Sequence, residues 1–316
     1  MAGPGGVKAE PGGVMEWETS GAFDLRQSID FGFGARTVGA TPSADEPAVM
    51  RLAFVLDGYT QHVGVAVRQP AGGLVHLTIS GTRELDAAAR QAARVLSVDV
   101  DASGWDALGA RDPLIGRLQA ARPGLRPPLF HSAYEALAWA VLSARQPRAQ
   151  MARLHAALSS AHGAVVDVAG EPMPVFPTPE QLLGLESFPG LPEVKLRRLH
   201  GVASAALDGV LDTVELRGLT PAEAASRLQR LEGIGPFYSE LVTVRTLGHT
   251  DVLPSAEPGV RAIAGDLLGR GEPLDQTELE QAAERWRPWR TWAAVALRAA
   301  GPLVSEQGAP GPPAAQ

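Results

Sequence analysis

The six residues Leu231-Glu232-Gly233-Ile234-Gly235-Pro236 constrain this chain more than any other stretch. They stand between two amphipathic segments, 221–231 and 236–246, each opened by a proline, the residue suited to the first turn of a helix. Two glycines flanking one aliphatic residue close a tight turn between two helices. Ile234 is the residue that plugs between them, and Gly233 and Gly235 leave backbone N–H groups facing outward with no side chain in the way. With the start of the second helix, these N–H groups make an anion site suited to a phosphate. The same pattern also describes an ordinary turn in which the glycines serve geometry alone, and the hexapeptide by itself leaves both readings open.

The period of the apolar residues divides the chain in two. Segments 48–57, 59–68 and 74–80 alternate or are β-rich, with Asp57-Gly58 as a hairpin turn, and 83–96 has helical spacing. From about residue 111 the period is helical throughout, with candidate helices at 113–121, 133–142, 148–162, 179–185, 192–208, 221–231, 236–246, 258–268, 275–285 and 288–300. The expected architecture is an α+β N-terminal domain at 22–110 followed by an all-α helix-hairpin-helix domain at 111–302. Residues 1–21 and 303–316, rich in Gly, Pro and Ala, are expected to be disordered tails.

Composition excludes several chemistries. The 316 residues include no cysteine, so disulfides, zinc-thiolate sites, iron–sulfur clusters and a cysteine nucleophile are out. Lys8 and Lys195 are the only lysines, which leaves almost no room for a catalytic lysine. The net charge of −7 argues against a uniformly basic protein. Residues 111–153 nevertheless carry Arg111, Arg117, Arg122, Arg126, Arg145, Arg148 and Arg153 against Asp112 and Glu135 alone, a local cationic segment that fits either an electrostatic footprint or a composition that uses Arg as its general cation. No apolar run is long enough to cross a bilayer and the N-terminus has no signal-peptide core, so no membrane partner and a cytoplasmic location are expected. His131, His155 and His162 lack the spacing of a helical metal-binding pair.

Several motifs, taken in order, resemble the 3-methyladenine DNA glycosylase II family of the helix-hairpin-helix DNA glycosylase superfamily. Ile115-Gly116-Arg117-Leu118 and Ala120 to Arg126 resemble its lead into the catalytic domain. Phe176-Pro177-Thr178-Pro179 resembles its F-P-T-P turn, and Leu228 to Gly235 its hairpin. Ala283-Glu284-Arg285-Trp286-Arg287-Pro288-Trp289-Arg290 matches its C-terminal A-E-R-W-x-P-W-R signature almost residue for residue.

The resemblance implies a monofunctional glycosylase that flips alkylated purines from double-stranded DNA and excises them, acting as a nucleoid-associated monomer. The catalytic acid would be Glu257, at a position where the family has Asp. The base pocket would be lined by Phe237, Tyr238, Leu241 and Arg298. DNA would be held by Gly233, Ile234 and Gly235 with Arg117 and Arg145, the latter on the loop that fills the gap left by a flipped base. No organic cofactor is implied, but the backbone carbonyls of Gln229, Leu231 and Ile234 would be those that hold Na+ or K+ against a phosphate. Phe237 stands where lyase members of the superfamily have lysine, so strand cleavage is not expected. Glu257, Ala144 and Arg298 depart from the family pattern and also fit an alternative, a homologue that binds damaged DNA without excision. Trp286, Trp289 and Trp292 fit core packing equally well.

Overall fold

The computed structural model describes residues 11–31, 47–253 and 258–307. Its N-terminal part is a four-stranded antiparallel sheet of β1 (Gly12–Glu18), β2 (Val49–Val55), β3 (His62–Ala71) and β4 (Leu74–Ser80) in the order β1-β4-β3-β2. A short helix, α1 (Leu25–Phe31), lies between the first two strands in sequence. Val63, Val65 and Val67 of β3 alternate onto one face, where Ala88, Ala89, Ala92 and Ala93 of α2 (Leu85–Val95) bury a small-residue stripe against them. The expected α+β character is present, but the tail expected at 1–21 is not wholly a tail. Residues 12–18 pair with β4 along their length, Trp17 opposite Val75, because the alternation of Met15 and Trp17 with exposed Val14 and Glu16 suits a half-buried edge strand.

The helical part comprises α3 (Ser103–Arg111), α4 (Pro113–Ala121), α5 (Ala133–Ser143), α6 (Arg148–His162), α7 (Pro179–Leu183), α8 (Glu193–Leu207), α9 (Thr213–Arg217), α10 (Pro221–Leu228), α11 (Pro236–Arg245), α12 (Pro258–Leu267), α13 (Gln276–Ala283) and α14 (Arg290–Gln307). Thr178, Thr220 and Asp275 each close a reciprocal capping box at the start of the helix they precede. Helix α14 runs into the span 303–316 that was expected to be a tail.

The helical part is not all-α. Strands β5 (Ala164–Val168) and β6 (Glu171–Val175) form an antiparallel hairpin inside it. They cover the face of the large sheet opposite α2, where the Ser80 hydroxyl donates to the Asp167 carbonyl at 2.6 Å and Arg51 Nε to the Val168 carbonyl at 3.1 Å. Gly64 of β3 permits this approach, since a Cβ there would lie 2.7 Å from a Val168 methyl. Pro172 and Pro174 disguise β6 in the sequence, and are tolerated because a two-stranded hairpin has an outer edge with no ladder to complete.

Among the described residues, three cores organise the chain. One is the sheet with α2; a second holds α5, α8, α10, α11 and the β5–β6 hairpin. The third joins Trp105, Leu108, Ile115 and Leu118 of α3 and α4 to Val260, Ala264, Leu279, Trp286, Trp289, Trp292 and Leu297 near the C-terminus. The tryptophans of the signature are therefore packing residues. Trp286 is 1% exposed and donates its indole N–H to Asp112 Oδ2 at 3.2 Å, while Asp112 Oδ1 caps the first N–H groups of α4. Because α3 shares this third core, the helical part begins at Ser103, ahead of the change in period at residue 111.

Candidate nucleic-acid interface

The hairpin is built as its sequence requires. Helix α10 ends at Leu228 with Gln229 as its C-terminal cap, the Ile234 N–H returns to the Leu231 carbonyl at 3.1 Å, and Gly233 takes a φ of +86°, open to glycine and costly for other residues. Ile234 is 4% exposed in the second core. Gly235 is the extended residue before α11, and nothing lies within 4 Å of where its Cβ would be. The Gln229 amide donates to the Ser239 hydroxyl at 2.9 Å and ties the end of α10 to the first turn of α11. The side of Gly235 that a phosphate would approach is open backbone at a helix start.

Next to this turn the structure brings two further segments. Phe237 is 58% exposed, and its ring meets that of Tyr238 edge-on at 5.2 Å. The Tyr238 hydroxyl shares a 3.3 Å hydrogen bond with Ser143, the last residue of α5. Two residues beyond Ser143, Arg145 is exposed at a φ of +56°, a left-handed backbone that turns its loop sharply. Lys195 of α8 is buried and donates to the Leu142 carbonyl at 2.6 Å, fixing the same end of α5. Burial, together with the nearby charge of Arg198, pushes the Lys195 ammonium below its ordinary value. The Ser143–Tyr238 hydrogen bond thus ties the end of α5, from which the Arg145 loop leaves, to the first turn of α11, which follows Gly233, Ile234 and Gly235 and carries Phe237 and Tyr238. Leu241 follows one turn later on α11, half-buried.

Other expected residues lie elsewhere. Arg117 donates to the Leu267 carbonyl at 2.8 Å and so serves the end of α12. Arg298 is exposed on α14, the helix whose apolar face fills the third core. Glu257 lies outside the described residues. The cationic segment 111–153 does not act as one patch. Arg126 is fully buried and donates to the carbonyls of Ser20, Gly21, Ala22, Ser97 and Val100, and Arg122 stands 3.7 Å from Asp30.

Sequence reasoning missed the cations that do flank the hairpin. Arg197 and Arg198, on the exposed side of α8, pair with the hairpin's Glu232 at 2.9 and 3.4 Å. The hydrogen bond from Arg197, then the second one from Arg198, holds the Glu232 carboxyl below the ordinary carboxylate range. The run Lys195-Leu196-Arg197-Arg198, three cations within one helical turn, was the available signal.

No protein-family model matches the chain. It is 32% identical over 225 residues to a Mycobacterium tuberculosis protein named "probable bifunctional transcriptional activator/DNA repair enzyme AlkA", an alignment covering 69% of this chain and 43% of that one, so the chain spans less than half of that relative's length. It is 28% identical to the Escherichia coli DNA-3-methyladenine glycosylase 2 over 89% of this chain and 94% of that one. The solved structure of a 3-methyladenine DNA glycosylase from Archaeoglobus fulgidus superposes with a TM-score of 0.70 at 22% identity, covering 92% of this chain and 99% of that one, which shows a shared fold. Together with the F-P-T-P turn, the glycine hairpin and the A-E-R-W-R-P-W-R signature, these two relatives support the 3-methyladenine DNA glycosylase II family for this chain.

Proposed function

We propose that the chain is a monofunctional DNA glycosylase of base excision repair, acting in the nucleoid as a monomer, which flips alkylated purines such as 3-methyladenine out of duplex DNA and hydrolyses their N-glycosidic bond. One observation carries this reading. The outward-facing Gly233–Gly235 backbone, the exposed Phe237 ring and the Arg145 loop are joined by the Ser143–Tyr238 hydrogen bond at 3.3 Å. Backbone N–H groups at the start of α11 take a DNA phosphate and fix register without reading sequence. Arg145 fills the gap left by the flipped nucleotide by planar stacking. Phe237 and Tyr238 offer aromatic surface to the extruded base, with Leu241 one turn further on α11 as a further lining residue.

The chemistry needs little acid help. Alkylation places positive charge on the purine, so the C1′–N bond breaks with its electron pair leaving on the base, and an oxocarbenium-like sugar remains. The Glu257 carboxylate stabilises that cation and orients the water that adds to it. The assignment of Glu257 rests on its register with the hairpin and on the family resemblance. Glu is one methylene longer than the Asp expected there, and a displacement of about 1 Å is worth roughly 100-fold in rate. Strand cleavage is not part of the reaction, since Phe237 occupies the lysine position and the Lys195 ammonium is bound to the Leu142 carbonyl.

A monovalent cation fits the hairpin by donor chemistry. The carbonyls of Gln229, Leu231 and Ile234 are hard oxygen donors, and that of Leu231 keeps a lone pair after accepting the Ile234 N–H. Bound there, Na+ or K+ would supply positive charge facing a phosphate.

Base release from methylated duplex DNA tests the reading. Wild type should release 3-methyladenine and leave the abasic strand intact, Glu257→Asp should retain or raise that activity, and Glu257→Gln should lose it. Release by Glu257→Gln as fast as by wild type removes the acid from the mechanism. Duplex binding by a wild type that releases no base would replace excision with damage recognition alone.

A further inference from the structure

The hairpin carries its own anion. Glu232, 55% exposed, sits immediately before Gly233, and draws the guanidinium groups of Arg197 and Arg198 to it from α8, at 2.9 and 3.4 Å. Arg198 lies directly over the turn, since a Cβ on Gly233 would come within 2.7 Å of its Cδ and Nε. Two cations share one carboxylate, so the cluster keeps a net positive charge beside the backbone N–H groups of the turn. Arg197 is 62% exposed at the side chain, which leaves most of its fork to solvent.

We infer that Arg197 and Arg198 extend the hairpin's phosphate site, and that Glu232 competes with duplex DNA for them. This rests on the DNA-binding reading above and adds to it the residues that set affinity. In the free protein Glu232 holds both guanidinium groups near Gly233. When a backbone phosphate docks on the turn, Arg198 exchanges the carboxylate for a phosphate oxygen, the partner for which its planar fork is suited. Glu232 then stands as a like charge beside the phosphate and shortens the lifetime of the complex.

The test measures binding of an undamaged duplex by fluorescence anisotropy across a salt series, for wild type, Glu232→Gln, Arg198→Gln and the double variant, with thermal unfolding alongside. Glu232→Gln should bind roughly threefold to tenfold tighter, the gain expected from removing an exposed like charge. Arg198→Gln should bind more weakly, with the slope of log affinity against log salt shallower by about 0.9, the mark of one lost phosphate contact. That shallower slope should persist in the double variant. A Glu232→Gln protein that unfolds like wild type yet binds no tighter overturns the inference, as does an Arg198→Gln protein with an unchanged slope. In both cases wild type still binds, so the broader reading stands. A wild type that binds no duplex at low salt overturns both.

Discussion

Asp251 and Arg290 are joined by two hydrogen bonds, Nε to Oδ1 at 2.6 Å and Nη2 to Oδ2 at 3.2 Å, and Nη2 also reaches the Asp251 carbonyl at 2.8 Å. Arg287 adds a third contact to the same carboxylate at 2.7 Å. The neighbouring Thr291 hydroxyl accepts the Val252 N–H and donates to the Val252 carbonyl, each at 2.9 Å. Arg287 and Arg290 of the C-terminal signature, with the adjacent Thr291, therefore hold Thr250 to Val252, a few residues ahead of Glu257. Arg290→Met should lower stability by about 1.5–3 kcal/mol, the value of hydrogen bonds to a charged group, measured by denaturant unfolding. Arg290→Lys should recover only part of this, because an ammonium has no fork to match the carboxylate.

Gly235 separates the two readings of the hairpin. Space for a Cβ is open there, and its φ of −91° suits any residue. Gly235→Ala should leave the melting temperature within about 2 °C of wild type and weaken duplex affinity severalfold by blocking the approach of a phosphate. Unchanged affinity would make the glycine a matter of turn geometry.

Arg126 should be irreplaceable for stability. Its five donated hydrogen bonds end on backbone carbonyls from 20–22, 97 and 100. Arg126→Met leaves those buried carbonyls without partners, and should cost about 3–5 kcal/mol or prevent folding. A change below about 1 kcal/mol by urea unfolding would show that water replaces the guanidinium.

Acid should destabilise the fold before its carboxylates titrate. Burial pushes His155 from an ordinary 6.5 down to about 4, against the raising effect of Glu135, and its ring stacks on Phe176 at 5.0 Å. The unfolded chain binds this proton more readily than the folded one, so the stabilisation is full above pH 6.5 and is lost as pH falls toward 4. His62 and His249 are lowered as well, again mainly by burial. Unfolding free energy should drop by about 1–3 kcal/mol between pH 7 and 4.5, and His155→Phe, which keeps the stacking, should flatten part of that slope.

What the sequence made legible was whatever is encoded locally. The Gly-Ile-Gly-Pro turn, the Pro starts of α7 and α10 and the alternation of β4 are each set by a handful of adjacent residues, and each forms where expected. Strand β1 and the β5–β6 hairpin were missed because their apolar residues make sense only against a partner face, β1 against α2 and β5 against Gly64 and Ser80. The cationic segment 111–153 stayed open between two readings because charge on paper does not distinguish a buried Arg126 from an exposed Arg145. The pairing of Arg197 and Arg198 with Glu232 spans 35 and 34 residues, and the only local trace is the run of cations from Lys195 to Arg198, which does not name its partner.

The divided third core sets a clock for the chain as it is made. Trp105 and Ile115 precede Trp286 and Trp292 by more than 170 residues, yet all four are buried in one another's company. At roughly 5–20 residues per second of synthesis, the first pair waits on the order of ten to forty seconds for the second. During that interval α3 and α4 expose an apolar face while the sheet and the hairpin core can already close. Nascent chains halted before α14 should be held by general chaperones, and the burden should fall once the last tryptophan emerges.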